Sequence, residues 1–225
     1  MVDLAALHSM LIELHSGTLT LATICIIANI IDRIHLRMSG NSDKSGGFWS
    51  TASSMGKLSR YTDPTAYIAG IFGIIGLIIS AIVGAYVWPI ELLTSSAMGT
   101  LGWTKVMFSI FATELWIIFV FLRTKYGENL WKNSTMTIIN SSVGIIGFIF
   151  MVIVGSLGAH MSDIANMTEK GSVIDPIFEL FGIDPLNFGV TESNFIIALI
   201  IGSIFLVILP IAVVLYIQRQ NKVIK

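Results

Sequence analysis

Residues 4–34, LAALHSMLIELHSGTLTLATICIIANIIDRI, form the apolar run that decides the fold of this chain. A helix that crosses a hydrocarbon core of about 30 Å needs roughly 20 apolar residues. The part of the run from about residue 10 to residue 34 meets that length. Its start is acidic, at Asp3, and it is longer than the apolar part of a cleaved signal peptide. We therefore expect it to remain in the mature protein as the first membrane crossing.

The composition places the whole chain in the bilayer. Of its 225 residues, 54% are hydrophobic and only 12% are charged, whereas about a quarter of a soluble domain is charged. Four further apolar runs are long enough to cross the membrane, at about 66–88, 103–123, 136–158 and 194–217. The sequence predicts an all-α integral membrane bundle of five transmembrane helices, a single domain over residues 1–225.

Two local patterns add detail to this prediction. Thr62-Asp63-Pro64 combines a capping residue with a proline, which is typical of the first turn of a helix. Residues 175–182, DPIFELFG, have a cap, a proline, apolar rings and a terminal glycine. This second pattern predicts a short interfacial helix in the loop before the fifth crossing. Pro210 is expected to kink the fifth helix locally.

The basic residues are distributed unequally between the two sides of the predicted bundle. Eleven of the thirteen lie on one side, and only Lys105 and Lys170 lie on the other. The positive-inside rule makes the basic side cytoplasmic. We expect a multi-pass protein of the cell membrane with its amino terminus outside and its carboxyl terminus in the cytoplasm. Its expected partners are the lipid bilayer and other membrane subunits, and no basic, aromatic-lined surface indicates nucleic-acid binding.

The histidines are the strongest candidates for chemistry. His8 and His15 are seven residues apart, so on a helix they share one face at a separation of about 10 Å. That is too far for the pair to hold one ion, and a partner for His15 must come from another helix. His160 ends the fourth crossing and is expected at a comparable depth in the outer leaflet. Two imidazoles from different helices suit the axial positions of haem b, while imidazoles with carboxylates suit copper or zinc, with His8 as a third metal ligand. Alternatively, the histidines are interfacial residues bonded to backbone or headgroups.

Glu114 is the second candidate, because a carboxylate near the centre of a bilayer is costly and usually faces the bundle interior, pairs or stays protonated. It is predicted either to serve a proton relay or quinone site, or simply to bond across helices. The single cysteine, Cys25, excludes an internal disulfide and a cysteine-based zinc or iron–sulfur site within this chain.

The layout resembles a family of small four-helix membrane proteins of unknown function, some of which are suspected of binding haem. The resemblance covers about residues 5–165 and rests on His8 to His15, Asp32, the glycine-rich second segment, Trp103 and the run from Gly155 to His160. The chain departs from the family in the spacing of its first two histidines and in having Lys105 where a histidine commonly opens the third helix. The resemblance implies only His15 and His160 as candidate cofactor ligands.

These observations leave three functions open, and none makes the chain an enzyme on its own. The first is a subunit of a redox or respiratory-type complex that takes part in electron transport and holds haem b or a copper or zinc ion near its outer face. The second is a structural accessory subunit of a membrane oxygenase or respiratory assembly, with no cofactor. The third is a small proton or solute transporter that uses Glu114.

Overall fold

A computed structural model describes residues 4–38, 58–87, 100–166, 189–208 and 210–216. The helices are α1 (Leu4–Met38), α2 (Ser59–Val87), α3 (Leu101–Tyr126), the short α4 (Asn129–Lys132), α5 (Ser134–Asn166) and α6 (Glu192–Ser203), which continues as a π-helix over Ile204–Ile208. Five helices are long and apolar enough to cross a membrane. The all-α fold class and the multi-pass character are confirmed. The predicted interfacial helix at 175–182 lies outside the described residues.

Helices α1, α2, α3 and α5 form a four-helix bundle in which each helix packs against two others. Going around the bundle, α1 is followed by α2, α3 and α5, and α5 closes the ring by contacting α1. Neighbouring helices are antiparallel. The core between them contains Leu19 and Ile26 of α1 and Leu115, Trp116 and Phe119 of α3. These large side chains fill the middle of the bundle.

The distribution of polar residues is the reverse of that in a soluble protein. Asn29, Asn140 and Asp63 are buried inside the bundle, while Ile24 and Phe72 on its outer surface are more than half exposed. Hydrocarbon solvates apolar side chains and cannot satisfy polar ones, so polar groups in a membrane helix face other helices. This distribution of polar and apolar side chains is the one expected for a four-helix bundle surrounded by hydrocarbon.

The two ends of the bundle differ in chemistry. We name the end that contains His8, Gly84, Lys105 and Gly158 the histidine end. The opposite end, which contains Arg33, Asp63, Arg123 and Ser134, is the arginine end. Each helix of the bundle contributes one member to each set.

An ion pair joins α2 to α3 at the arginine end. Arg123 Nε donates to both carboxylate oxygens of Asp63 at 2.9 Å, and the ring of Tyr67 lies 5.8 Å from the guanidinium carbon. The side chains of Asp63 and Arg123 are 4% and 15% exposed. Among the described residues it is the one ion pair, and its burial makes it a strong constraint on helix position.

A buried arginine joins α1 to α5 at the same end. The guanidinium of Arg33 donates to the backbone carbonyl of Trp131, to the Thr137 hydroxyl at 2.9 Å and to the Ser134 hydroxyl at 3.0 Å. The hydroxyl of Thr137 also lies 3.0 Å from the Leu130 carbonyl, to which it donates. These bonds fix the connection between α3 and α5 against the last turns of α1.

Helix α2 begins earlier than the sequence predicts. It starts at Ser59, so Pro64 lies inside the helix and not in its first turn. The carboxylate of Asp32 accepts hydrogen bonds from the backbone N–H and the hydroxyl of Ser59, at 3.1 and 2.7 Å. A side chain from α1 thus supplies the acceptor that the exposed N–H groups of a helix start require, and this contact lies too far away in sequence for local capping rules to find.

The fifth apolar helix lies outside the bundle and packs beside α3, parallel to it. The backbone N–H of Val190 donates to the Thr104 hydroxyl at 2.9 Å, and the rings of Trp103 and Phe195 are 4.8 Å apart. No residue of α6 is buried. The π-helix at Ile204–Ile208 precedes Pro210, the residue at which a kink was expected.

Candidate functional site

The two histidines of α1 face α2, and each packs against a glycine of that helix. A Cβ atom placed on Gly76 would lie 2.7 Å from the Cβ of His15, and one placed on Gly84 would lie 2.7 Å from Cε1 of the His8 ring. Both separations are shorter than carbon atoms tolerate without a shift of the neighbouring group. Gly84 therefore leaves the space that the His8 ring occupies, while Gly76 lets the backbone of α1 approach α2 closely at His15.

The imidazoles are inside the protein and are only partly satisfied. His15 is 7% exposed, and the His8 ring lies beside the backbone of Ser80. In both rings Nδ1 is buried and makes no hydrogen bond of normal geometry to the described residues, although the backbone of Leu11 lies beside the His15 ring. An unsatisfied buried nitrogen costs about 1–3 kcal/mol, so such an atom requires an explanation, and an unseen ligand is one.

Lys105 is a charged residue near the histidine end that the sequence did not single out as a candidate. It lies on α3, and its Nζ is 3.0 Å from the position that a Cβ atom on Gly158 of α5 would take. The sequence feature that could have drawn attention to Lys105 is that it is one of only two basic residues on the acidic side of the predicted bundle.

The structure brings some of the predicted ligands together. His8 and His15 share the face of α1 that contacts α2, at Gly84 and Gly76. His160 lies on α5, two residues after Gly158, and is half-buried. Its pairing with His15 in one site stays a prediction. Within the described ranges no three side chains of the histidine, cysteine, aspartate or glutamate type form a group able to hold a metal ion.

Glu114 lies at the contact between α3 and α6. The hydroxyl of Ser203 donates to Oε1 of Glu114 at 2.8 Å. Its Oε2 is buried and has no hydrogen-bond partner in the described part of the chain. Ser203 is the last residue of α6 before the π-helix begins. Since α6 is outside the four-helix bundle, Glu114 belongs to a peripheral contact between helices rather than to the histidine end.

Together, these contacts place two imidazoles of α1 against glycines of α2, and the Lys105 ammonium of α3 against Gly158 of α5. The groups can ligate a metal through a free imidazole nitrogen, donate hydrogen bonds or attract an anion. Comparison of the chain with family models, with curated proteins and with solved structures gives no match in any of the three.

Proposed function

We propose that this protein is a membrane-embedded subunit of a redox or respiratory-type complex, and that its histidine end holds haem b or a metal ion. The observation that carries the proposal is the burial of His15 inside an apolar bundle, with an Nδ1 that makes no hydrogen bond of normal geometry to the described residues. A neutral imidazole with a free nitrogen is the ordinary axial ligand of haem iron and a common ligand of copper and zinc.

His15 needs a second ligand from elsewhere, because His8 is about 10 Å away along the same helix. His160 is the candidate on α5, the helix that closes the bundle against α1. Haem b would be held by His15 together with His160 and would supply one-electron chemistry when bound. The residues of this chain would orient the group and keep water from it.

The proposal is tested by the visible spectrum and metal content of the full chain, purified in mild detergent from cells supplied with haem precursor, copper and zinc. We expect a Soret band, or one equivalent of metal, that is lost in His15→Ala and His160→Ala. The matched control is His35→Ala, since His35 is exposed at the other end of α1. A colourless, metal-free wild-type protein would overturn the proposal, as would an unchanged spectrum in both variants.

A structural accessory subunit, without a cofactor, is the second candidate, and one observation favours it. The described residues of α6 include none that is buried, and large apolar side chains such as Ile196, Ile200 and Phe205 on this helix and the following π-helix are about half exposed or more. A helix attached along only one side leaves a broad apolar surface for another membrane chain or for lipid. This candidate predicts a colourless protein that co-purifies with other membrane subunits in mild detergent.

A further inference from the structure

Glu114 lies at the middle of the third membrane-spanning helix. It is thirteen residues after Leu101 and twelve before Tyr126, the two ends of α3, so about 18–20 Å of helix extends on either side. A glutamate side chain at that depth is too short to reach the water at either interface. An ionised carboxylate there would remain in a low-dielectric region, where a charge is costly unless a cation or several hydrogen bonds compensate it.

The helices around Glu114 supply no cation at its depth. On α3 the nearest basic residues are Lys105 and Arg123, each nine residues away, which is about 13 Å along the helix axis. The guanidinium of Arg123 is already paired with Asp63. The segments that pack along the middle of α3 contain no charged residue and no histidine, over residues 64–87 of α2, residues 134–159 of α5 and residues 193–216 of the fifth crossing.

The hydrogen bonds of Glu114 suit a neutral acid better than a carboxylate. The Ser203 hydroxyl donates to Oε1 at 2.8 Å, while Oε2 is buried and has no partner among the described residues. An ionised carboxylate inside a protein is stabilised by two or three donors or by a cation. In the acid, Oε1 is the carbonyl oxygen that accepts from Ser203, and Oε2 carries the proton. An unpartnered neutral hydroxyl costs far less than an unpartnered charge.

We propose that Glu114 is a proton-binding site in the middle of the bilayer, which carries its proton on Oε2 at neutral pH and is modified covalently by hydrophobic carbodiimides. The site lies at the contact between α3 and α6, and the Glu114 side chain as a whole is half-buried. No residue of α6 is buried, so a reagent dissolved in the hydrocarbon meets the acid at the edge of this contact. The inference does not depend on haem or metal at the histidine end.

The modification requires the protonated form of the side chain. The proton of the acid passes to one nitrogen of the carbodiimide while a carboxyl oxygen bonds to its central carbon, and the O-acylisourea so formed rearranges to a stable N-acylurea. The whole reagent is added to the side chain, no group leaves, and nothing is oxidised or reduced. An ionised carboxylate lacks the proton that the first step transfers.

Infrared spectroscopy of the full chain in lipid vesicles at neutral pH tests the protonation state. We expect the carbonyl stretching band of a carboxylic acid, which an ionised carboxylate does not have. Glu114→Gln should remove the band, and the matched control Glu128→Gln should keep it, because Glu128 is exposed beyond the end of α3. Ser203→Ala should keep the band but move it to higher frequency, since the hydrogen bond to Oε1 is lost.

Labelling of the wild-type chain in phosphatidylcholine vesicles gives a second test that needs no variant. Dicyclohexylcarbodiimide should add the mass of one reagent molecule to the peptide that contains Glu114 and leave the peptide that contains Glu128 unmodified. A wild-type spectrum without the acid band, or an acid band that is unchanged in Glu114→Gln, would overturn the inference. So would equal labelling of the two peptides, or no labelling of Glu114.

Discussion

Removing one partner of the Asp63–Arg123 pair should destabilise the protein more than any other change of a single charged side chain in the described bundle. Arg123 holds the carboxylate of Asp63 through both of its oxygens, and that carboxylate is almost fully buried. Arg123→Met leaves the negative charge between α2 and α3 with no cation opposite it. Asp63→Leu leaves the guanidinium in the same condition.

The size of the effect follows from the burial of the pair. Exposed ion pairs contribute about 0.2–1 kcal/mol, but breaking a buried pair costs about 3–5 kcal/mol, since the remaining charge is desolvated and uncompensated. At 4% and 15% side-chain exposure this pair belongs to the buried class. The double variant Asp63→Leu/Arg123→Met removes both charges and should cost less than either single variant, because no orphan charge remains.

The assay is reversible unfolding in mixed micelles, followed by circular dichroism. Arg60→Met is the matched control, since Arg60 is an exposed arginine at the same end of the bundle, and its free energy of unfolding should match that of wild type to within about 0.5 kcal/mol. If either single variant costs less than about 1 kcal/mol, or if the double variant costs the sum of the two, the pair does not hold α2 against α3 in the way described.

Two further predictions follow from the packing of the helices, and a third concerns the orientation of the chain in the membrane. Gly76→Ala should destabilise the bundle by about 1–3 kcal/mol through overpacking, while Gly17→Ala, where nothing lies within 4 Å, should be neutral or stabilising by up to about 1 kcal/mol; the same unfolding assay compares them, and equal effects would contradict the close packing at Gly76. Ser203→Ala should cost about 1–3 kcal/mol, because it leaves the oxygen of Glu114 that accepts the 2.8 Å bond unsatisfied; a change below about 0.5 kcal/mol would show that the bond does not fasten α6. A cysteine at Asp3, which precedes the first apolar helix, in a chain with Cys25→Ala, should react with a membrane-impermeant maleimide in intact cells if the amino terminus is outside, and reaction only after lysis would reverse the orientation.

The helical architecture was predictable because a membrane span must satisfy its own backbone and be apolar over a fixed length. Each predicted crossing overlaps a helix of the structure. The start of α2 was not predictable from local rules, because its N-terminal cap comes from Asp32 on another helix. The position of α6 outside the bundle was not predictable either, since hydropathy does not indicate which helices pack against each other.

Part of the candidate site was visible in the sequence and part was not. The seven-residue spacing of His8 and His15 correctly placed both on one face of α1. The glycines that they contact, Gly84 and Gly76, are eight residues apart, which nearly equals the seven-residue spacing of the histidines. Because the order of the glycines along α2 is the reverse of the order of the histidines along α1, this match in spacing could have predicted antiparallel packing of the two helices. The position of the Lys105 ammonium beside Gly158 was not predictable, because it depends on the packing of α3 against α5.

The central structural claim is that the histidines of α1 point into the bundle and pack against glycines of α2. Cysteine pairs in a Cys25→Ala chain test it directly. A Cβ on Gly76 would lie 2.7 Å from that of His15, about 1 Å closer than the two Cβ atoms of a disulfide, so a small separation of α1 from α2 would let His15→Cys/Gly76→Cys cross-link on mild oxidation. His8→Cys/Gly76→Cys should not, because His8 is about 10 Å further along α1. No cross-link in the first pair, or equal yields in both, would contradict the account.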